Sequence, residues 1–279
     1  CVATKPRAGV AGGQARFMDL AGDGQPDLVV LDRDAEIGGF EWFEGIPGDV
    51  GGALFAAGLA LFVLTLIINF AAGAIVAREY FQDAEVSRLT DEIYAALDWP
   101  WFLNGRDILA MSWRDEQGFS RYRWDKYSEH MVMTLLGLGS PTHPLPADTW
   151  HRWSRSPRVE HAGRRFLAGP PLFMHQFAHA FFDFRDKRDA YADYQRNSIL
   201  ATHAHREMCI ALASEFPAWG ENLWGVTASD SDRGYHAWGG PPRTRDGGRL
   251  DGTIVPCAAA GSLPFAPRET LAALRYMRD

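Results

Sequence analysis

Residues 122–136, which read YRWDKYSEHMVMTLL, decide the predicted fold. On a helix, Glu129 would share one stripe with Met133 and Leu136, and Trp124 and Tyr127 would begin a second apolar stripe. A helix that is apolar on two faces is largely buried. The pattern therefore predicts a largely buried helix with the Glu129 carboxyl group on one of its apolar stripes.

The predicted burial of Glu129 indicates that its carboxyl group could act as a general acid. Desolvation raises the pKa of a carboxyl group, and a general acid that works near neutral pH needs such a raised pKa. The alternative is a structural glutamate that pairs with Arg121 or Arg123. Both interpretations place Glu129 at the boundary between core and solvent.

The surrounding sequence has the apolar spacing of helices and predicts a mainly α fold. Helices are expected over 83–97, 122–138, 171–188, 190–213 and 267–278. Residues 214–266 are expected to be mostly loop, and a loop of that length in a compact protein is usually functional.

Composition excludes some functions and favours others. The 279 residues carry a net charge of −7, which argues against nucleic-acid binding. The chain holds 10 Trp and 8 Tyr, whose flat rings and polar edges suit sugar binding, although many such rings simply fill cores.

Residues 1–48 contain an Asp-rich, Gly-containing loop that suits a calcium ion. Asp19, Asp23 and Asp27 surround Gly24 and precede a short apolar strand. Calcium prefers several carboxylate oxygens on a tight loop. The stretch 15–32 resembles a single FG-GAP repeat, a blade unit of β-propellers. The alternative is an acidic turn that binds no ion.

Residues 50–77 contain no charged side chain. A run of this length can cross a bilayer as one helix, so this apolar helix is a transmembrane candidate. The alternative is a helix buried within an α-barrel.

Further candidates for a sugar site lie in the C-terminal half. His179 and Asp183 follow His175 at helical spacing, which predicts hydroxyl binding or an internal hydrogen-bond network. The long loop is expected to supply stacking surfaces from Trp224, Tyr235 and Trp238. It is also expected to supply the carboxylates of Asp230 and Asp251. Each aspartate could instead be a turn former.

These residues belong to a series of motifs, in order, that resembles the glycoamylase-like domain. That domain includes endo-β-1,2-glucanases of glycoside hydrolase family 144 and a region of cyclic β-1,2-glucan synthases. The matching motifs, spread over residues 78–279, are LDWPW (97–101), WDKYSE (124–129), LGSPTHPL (138–145), PLFMH (171–175), DFR (183–185), NS (197–198), WGVTASD (224–230), DGT (251–253) and GSLP (261–264).

The resemblance implies a glycoside hydrolase that acts on β-glucan, most of all β-1,2-glucan, without a catalytic cofactor. It implies an (α/α)6 toroid with Glu129 as the general acid and Asp230 as the base-side carboxylate. The candidate substrate-binding residues are Trp124, His143, His179, Asp183, Arg185, Trp224, Tyr235, Trp238 and Asp251.

The chain departs from the family pattern before residue 78. Helices that normally precede the matched stretch have no counterpart here, so a partial toroid is expected as readily as a complete one. A non-catalytic glucan-binding protein and a transglycosylase are the rival functions, and an FG-GAP-based adhesion protein is a third. A periplasmic or cell-envelope location, with a membrane anchor at 50–77, is expected.

Overall fold

The computed structural model describes the backbone of residues 14–18 and 27–31 and, in more detail, residues 70–114, 117–169, 171–231, 234–241 and 250–278. The chain divides into two compact units, Cys1–Ala57 and Gly58–Asp279.

In the first unit, strands β1 (Gln14–Met18) and β2 (Asp27–Leu31) form an antiparallel hairpin. The register runs from Gln14 opposite Leu31 to Met18 opposite Asp27. Asp19 and Asp23 lie outside the described residues, so the calcium site and the FG-GAP resemblance stay predictions.

The uncharged run is described only at its C-terminal end. Residues 50–69 lie outside the described part, and residues 70–81 belong to helix α1. Ala71 and Ala72 are buried there, and Ile75 packs against the core of the second unit. Within the described residues, no helix has the length and hydropathy needed to cross a membrane.

Helices dominate the described part of the second unit, which confirms a helix-rich chain. Six further α-helices follow α1 in order: α2 (Ala84–Ala96), α3 (Met131–Leu138), α4 (Thr149–Arg152), α5 (Tyr194–Ala211), α6 (Pro256–Ala260) and α7 (Pro267–Arg278). Short 3-10 helices lie at Pro100–Leu103, Leu172–His175 and Phe177–Ala180.

Three two-stranded antiparallel sheets connect these helices. Their strands are β3 (Trp113–Arg114) with β4 (Gly118–Phe119), β5 (Arg158–His161) with β6 (Arg164–Leu167), and β7 (Ser229–Ser231) with β8 (Gly234–His236).

Capping residues explain why the predicted helices at 83–97, 190–213 and 267–278 are confirmed. The Asp83 carboxylate accepts hydrogen bonds from the first turn of α2, and Asp193 accepts one from the Arg196 amide at 2.8 Å in α5. Pro267 begins α7, where the missing N–H is harmless.

The predicted helix at 122–138 is wrong in its first half, because residues 122–130 form no helix. The amide of Trp124 donates to the Leu109 carbonyl at 3.0 Å, and the amide of Tyr127 donates to Ser154 at 3.0 Å. Both amides donate to carbonyl groups far away along the chain and not to the preceding turn of a helix. Helix α3 therefore begins only at Met131.

The predicted helix at 171–188 is also wrong, because this segment holds two short 3-10 turns instead. The Phe173 amide donates to the Thr227 hydroxyl at 3.1 Å, outside any helical pattern. Gln176 anchors the segment through its side-chain amide, which donates to Ala258 at 2.9 Å and to Ser262 at 2.8 Å.

Three apolar clusters form the core of the described part of the second unit. The first packs α3 against Trp99, Phe102 and Leu145, and the second surrounds Trp224 and Met208. The third and smallest contains Phe166, Ala201 and Ala204. The hydroxyl of Tyr94 on α2 donates to the Leu136 carbonyl of α3 at 2.6 Å. This hydrogen bond ties α3 to α2 and so helps to fix the position of the turn that precedes α3.

Gly225 is required at its position by both conformation and space. Its φ is +123°, and an added Cβ would lie 3.0 Å from the Ala259 amide nitrogen. We predict that Gly225→Ala lowers the free energy of unfolding by about 1–3 kcal/mol, because backbone atoms cannot easily move away. Urea unfolding measures this change.

The matched control is Gly220→Ala, where an added Cβ meets no atom within 4 Å. This variant should be neutral or stabilising by less than about 1 kcal/mol. Equal stability of the two variants would contradict the close packing at Gly225.

Candidate active site

Glu129 lies in the turn that leads into α3, not on a helical stripe. Its carbonyl accepts the Val132 amide at 3.1 Å, and the Ser128 carbonyl accepts the Met131 amide at 3.4 Å. The turn therefore forms the first part of the helix entrance. Glu129 is positioned by the packing of α3 rather than by the helical periodicity that the sequence suggested.

The carboxyl group of Glu129 is desolvated. Its Oε2 atom is buried and has no hydrogen-bond partner within the described residues. Burial raises the pKa of Glu129, and a hydrogen bond with its own backbone opposes this in part. Glu129 therefore has the buried environment that a general acid needs, although it lies in a turn and not on the predicted helix.

The hairpin β7–β8 carries a second carboxylate, Asp230, and an aromatic ring, Tyr235, which lies within electrostatic reach of Glu129. Asp230 and Tyr235 are directly opposite each other in the register, so their side chains share one face. Tyr235 is 68% exposed, and its pKa is raised by partial burial and by the negative charges of Glu129 and Asp230. The phenol thus lies within electrostatic reach of both carboxyl groups.

An aromatic-lined cavity of about 310 Å³ lies beside this turn. Its walls include Met111, Trp124, Tyr127, Ser128 and Met174. A cavity with mostly apolar walls and a few polar atoms is typical of a small-molecule or sugar site.

The wall at Trp124 is backed by stacked rings. The Trp124 indole lies parallel to the His130 imidazole at 5.8 Å, and His130 meets Trp153 edge-on at 4.8 Å. His130 Nδ1 and the Ser128 hydroxyl are hydrogen-bonded at 2.7 Å. Burial, with a smaller effect from Arg155, lowers the pKa of His130 to about 3, so the ring is neutral.

A buried polar network continues from the cavity wall. The Tyr127 hydroxyl and His175 Nδ1 are hydrogen-bonded at 3.2 Å, and the Asn197 side-chain amide lies 3.4 Å from both atoms. Burial lowers the pKa of His175 to about 3. Tyr127 and Asn197 were not predicted as site residues, although Tyr127 lies in the motif WDKYSE and Asn197 lies in the motif NS.

A second cavity, of about 410 Å³, collects three of the predicted sugar-binding residues: His179, Asp183 and Arg185. Asp183 and Arg185 form an exposed ion pair at 2.8 Å, and this contact lowers the pKa of Asp183. His179 Nε2 and the Ser198 hydroxyl are hydrogen-bonded at 3.0 Å. Burial lowers the pKa of His179 to about 4.

Two predicted stacking residues are core residues instead. Trp224 is 0% exposed, and Trp238 is also buried in the second apolar cluster, where its indole N–H donates to the Ser229 hydroxyl at 2.8 Å. Neither ring has a free face, so the predicted stacking of sugars on Trp224 and Trp238 is wrong.

The remaining candidates, Asp251 and His143, line neither of the two cavities. Asp251 is exposed, and hydrogen bonds from the Thr253 side chain and, at 2.9 Å, from the Thr253 amide lower its pKa and make it a turn former. His143 is exposed in the loop after α3, where its Nδ1 contacts the Thr142 hydroxyl at 3.0 Å. The described residues contain no group of three potential ligands that could hold a metal ion.

A family model described as "Putative glucoamylase" matches residues 121–279, more than half of the chain. The chain belongs to this family, which confirms the glycoamylase-like resemblance.

Individual relatives agree with the family. The chain is 23% identical over 242 residues to an exo β-1,2-glucooligosaccharide sophorohydrolase of Parabacteroides distasonis, covering 74% of this chain and 33% of that protein. The structure of an endo-β-1,2-glucanase from Chitinophaga pinensis, complexed with sophorotriose and glucose, superposes with a TM-score of 0.66 at 26% identity. A putative glucoamylase from Bacteroides uniformis superposes with a TM-score of 0.67 at 28% identity.

The extent of these matches is limited on the relatives' side. Each structural match covers 75% of this chain and 53% of the relative. The chain therefore spans about half the length of these solved relatives and a third of the curated one.

The raised pKa of Glu129 makes stability depend on pH. Above its ordinary pKa of 4.5, the unfolded chain releases a proton that the folded protein keeps, so the free energy of unfolding falls as pH rises towards the folded pKa. Glutamine cannot ionise and lacks this decline. We predict that Glu129→Gln becomes progressively more stable relative to wild type over this window, as measured by urea unfolding at several pH values.

A control with the opposite sign is Glu85→Gln on α2. The Arg88 guanidinium holds the pKa of Glu85 below 4.5, so its stabilisation is complete above that pH and is lost as pH falls through the lowered pKa. This variant should become less stable relative to wild type as pH rises. A pH-independent difference for Glu129→Gln would show that its carboxyl group is not desolvated.

Proposed function

We propose that this protein is a glycoside hydrolase that cleaves β-1,2-linked glucan, with Glu129 as general acid and Asp230 as general base. The observation that carries the proposal is the desolvated Glu129 carboxyl group in a turn whose neighbouring residue Ser128 lines the first cavity, together with the rings of Trp124 and Tyr127. The named activities of the Parabacteroides and Chitinophaga relatives supply the substrate class.

Glu129 has the properties that protonation of a leaving group requires. Because burial raises its pKa, the carboxyl group keeps a proton to higher pH than an exposed glutamate does. It donates that proton to the glycosidic oxygen as the bond to the anomeric carbon breaks. The departing sugar then leaves as a neutral alcohol.

Asp230 has the complementary environment. It lies in the exposed hairpin β7–β8, where water reaches its carboxylate. It accepts a proton from the water whose oxygen bonds to the anomeric carbon. Tyr235 lies opposite Asp230 and within reach of the charge of Glu129, and in this proposal its phenol contacts the sugar.

The proposal extends to substrate binding and architecture. Trp124 supplies a rigid ring in the first cavity, and His179, Asp183 and Arg185 supply hydrogen-bonding groups in the second. The helices belong in this proposal to a partial or complete (α/α)6 toroid. A periplasmic or cell-envelope location belongs to the same proposal.

The test is release of short oligosaccharides from linear β-1,2-glucan. We predict that Glu129→Gln lowers kcat by about 10²–10⁴-fold with a small change in KM, because proton donation is lost while binding is kept. In the wild type, kcat/KM should fall once pH exceeds the raised pKa of Glu129.

The matched control is Glu92→Gln, which removes an exposed carboxylate on α2 that pairs with Arg88 at 2.6 Å. It should keep the wild-type rate. A wild-type rate in Glu129→Gln would overturn the assignment of the acid. Absence of any product from the wild-type chain would overturn hydrolysis by this chain.

A further inference from the structure

Residues 109–114 and 118–124 form a two-stranded ribbon that links the first cavity to a partly exposed aromatic surface. Near its base, the Trp124 amide donates to the Leu109 carbonyl at 3.0 Å, and the Met111 amide donates to Tyr122 at 3.1 Å. At its outer end, β3 pairs with β4. The ribbon thus continues from the cavity wall to the pair of strands β3 and β4.

One face of this ribbon is apolar and partly exposed to solvent. Side chains alternate between the faces of a strand, and Ala110 is 0% exposed whereas Met111 is 37% exposed. Trp113 lies opposite Phe119 in the register, so both point to a common face. Tyr122, opposite Met111, is also exposed.

Trp101 extends this face beyond the hairpin. It belongs to the 3-10 helix Pro100–Leu103, and its ring centroid lies 4.4 Å from Phe119 and 5.7 Å from Trp113. It rests edge-on against Phe102, a core residue, at 5.2 Å. Although it is anchored on the core in this way, 43% of Trp101 remains exposed.

The resulting surface, here called the aromatic strip, consists of Trp101, Met111, Trp113, Phe119, Tyr122 and Trp124. Two of its members, Met111 and Trp124, also line the first cavity, so the strip is continuous with the proposed site. From Trp124 to Phe119 the ribbon spans five residues, or roughly 16 Å at about 3.3 Å per residue. That length accommodates several sugar units in succession.

We propose that the aromatic strip binds glucose units of the glucan chain that lie beyond those held in the cavity, and so makes the site favour longer chains. The inference rests on the proposed function. Flat rings with polar edges are suited to stack on sugar faces, and the strip is continuous with the cavity through Met111 and Trp124. The solved structure of the Chitinophaga relative is a complex with sophorotriose, which is itself an oligosaccharide.

The experiment measures affinity against chain length. β-1,2-Linked glucooligosaccharides of increasing length are titrated calorimetrically into the full chain carrying Glu129→Gln, so that the sugars are not consumed. Affinity should rise with length until the strip is filled. Adding Trp101→Ala should weaken binding of the long sugars by roughly 2- to 12-fold and leave the shortest unchanged, because only distal units reach this ring.

Two matched variants separate stacking from folding. Trp101→Phe keeps a flat ring and should restore most of the length dependence, whereas Tyr276→Ala removes an exposed aromatic ring on α7 and should change nothing. Thermal unfolding of each variant shows whether the fold is kept. If Trp101→Ala does not fold, the deciding measurement is the comparison of Trp101→Phe with Trp101→His, because the two rings differ in stacking area.

The outcomes distinguish the strip from the proposed function. If the Glu129→Gln chain binds β-1,2-oligosaccharides and the added Trp101→Ala keeps the same length dependence, the proposed role of the aromatic strip is overturned and the proposed function stands. If β-1,3- or β-1,4-glucooligosaccharides bind instead, with a length dependence that Trp101→Ala removes, the strip stands and the linkage assignment falls. Absence of binding to any of the three series overturns both.

Discussion

The packing of the His130 ring between Trp124 and Trp153 is the interaction on which the site depends. The ring lies parallel to one indole and edge-on to the other, and its Nδ1 contacts the Ser128 hydroxyl. Because Glu129 stands between Ser128 and His130, this packing fixes the turn that presents the carboxyl group. The low pKa of His130 keeps the ring neutral, so no positive charge on this ring is available to hold Glu129 ionised.

The same packing connects binding to chemistry. One side of Trp124 meets His130, and the residue also lines the first cavity, so the wall that would meet a sugar and the turn that carries the acid are parts of one rigid assembly. The hairpin β7–β8 approaches from a different segment with Asp230 and Tyr235. The proposed catalytic groups therefore come from two parts of the chain that only the tertiary fold brings together.

The sequence predicted those parts whose signals are local. Helices α2, α5 and α7 have apolar periodicity together with Asp83, Asp193 or Pro267 at their starts, and local signals of this kind suffice. Motif order identified the family, and burial of Glu129 was expected. The reason was wrong, however, because Trp124 and Tyr127 fit a helical stripe as well as they fit the irregular segment that precedes α3.

What could not be predicted depends on tertiary contacts. Composition shows that many aromatic rings are present but not which are exposed, so Trp224 was expected at the surface and lies in the core, while the exposure of Trp101 has no local signal. The pairing of Asp230 with Tyr235 depends on the register of a two-stranded sheet. The Phe173 amide is used by a side chain 54 positions away, which no local pattern at 171–188 records.

The most direct test of the central claim is a titration of the Glu129 carboxyl carbon by ¹³C NMR, with the resonance assigned by its loss in Glu129→Gln. We predict a pKa above the ordinary glutamate value of 4.5, because burial of the carboxyl group disfavours its anion. A pKa at or below 4.5 would contradict this claim, since a solvated or ion-paired carboxylate cannot serve as the proposed acid.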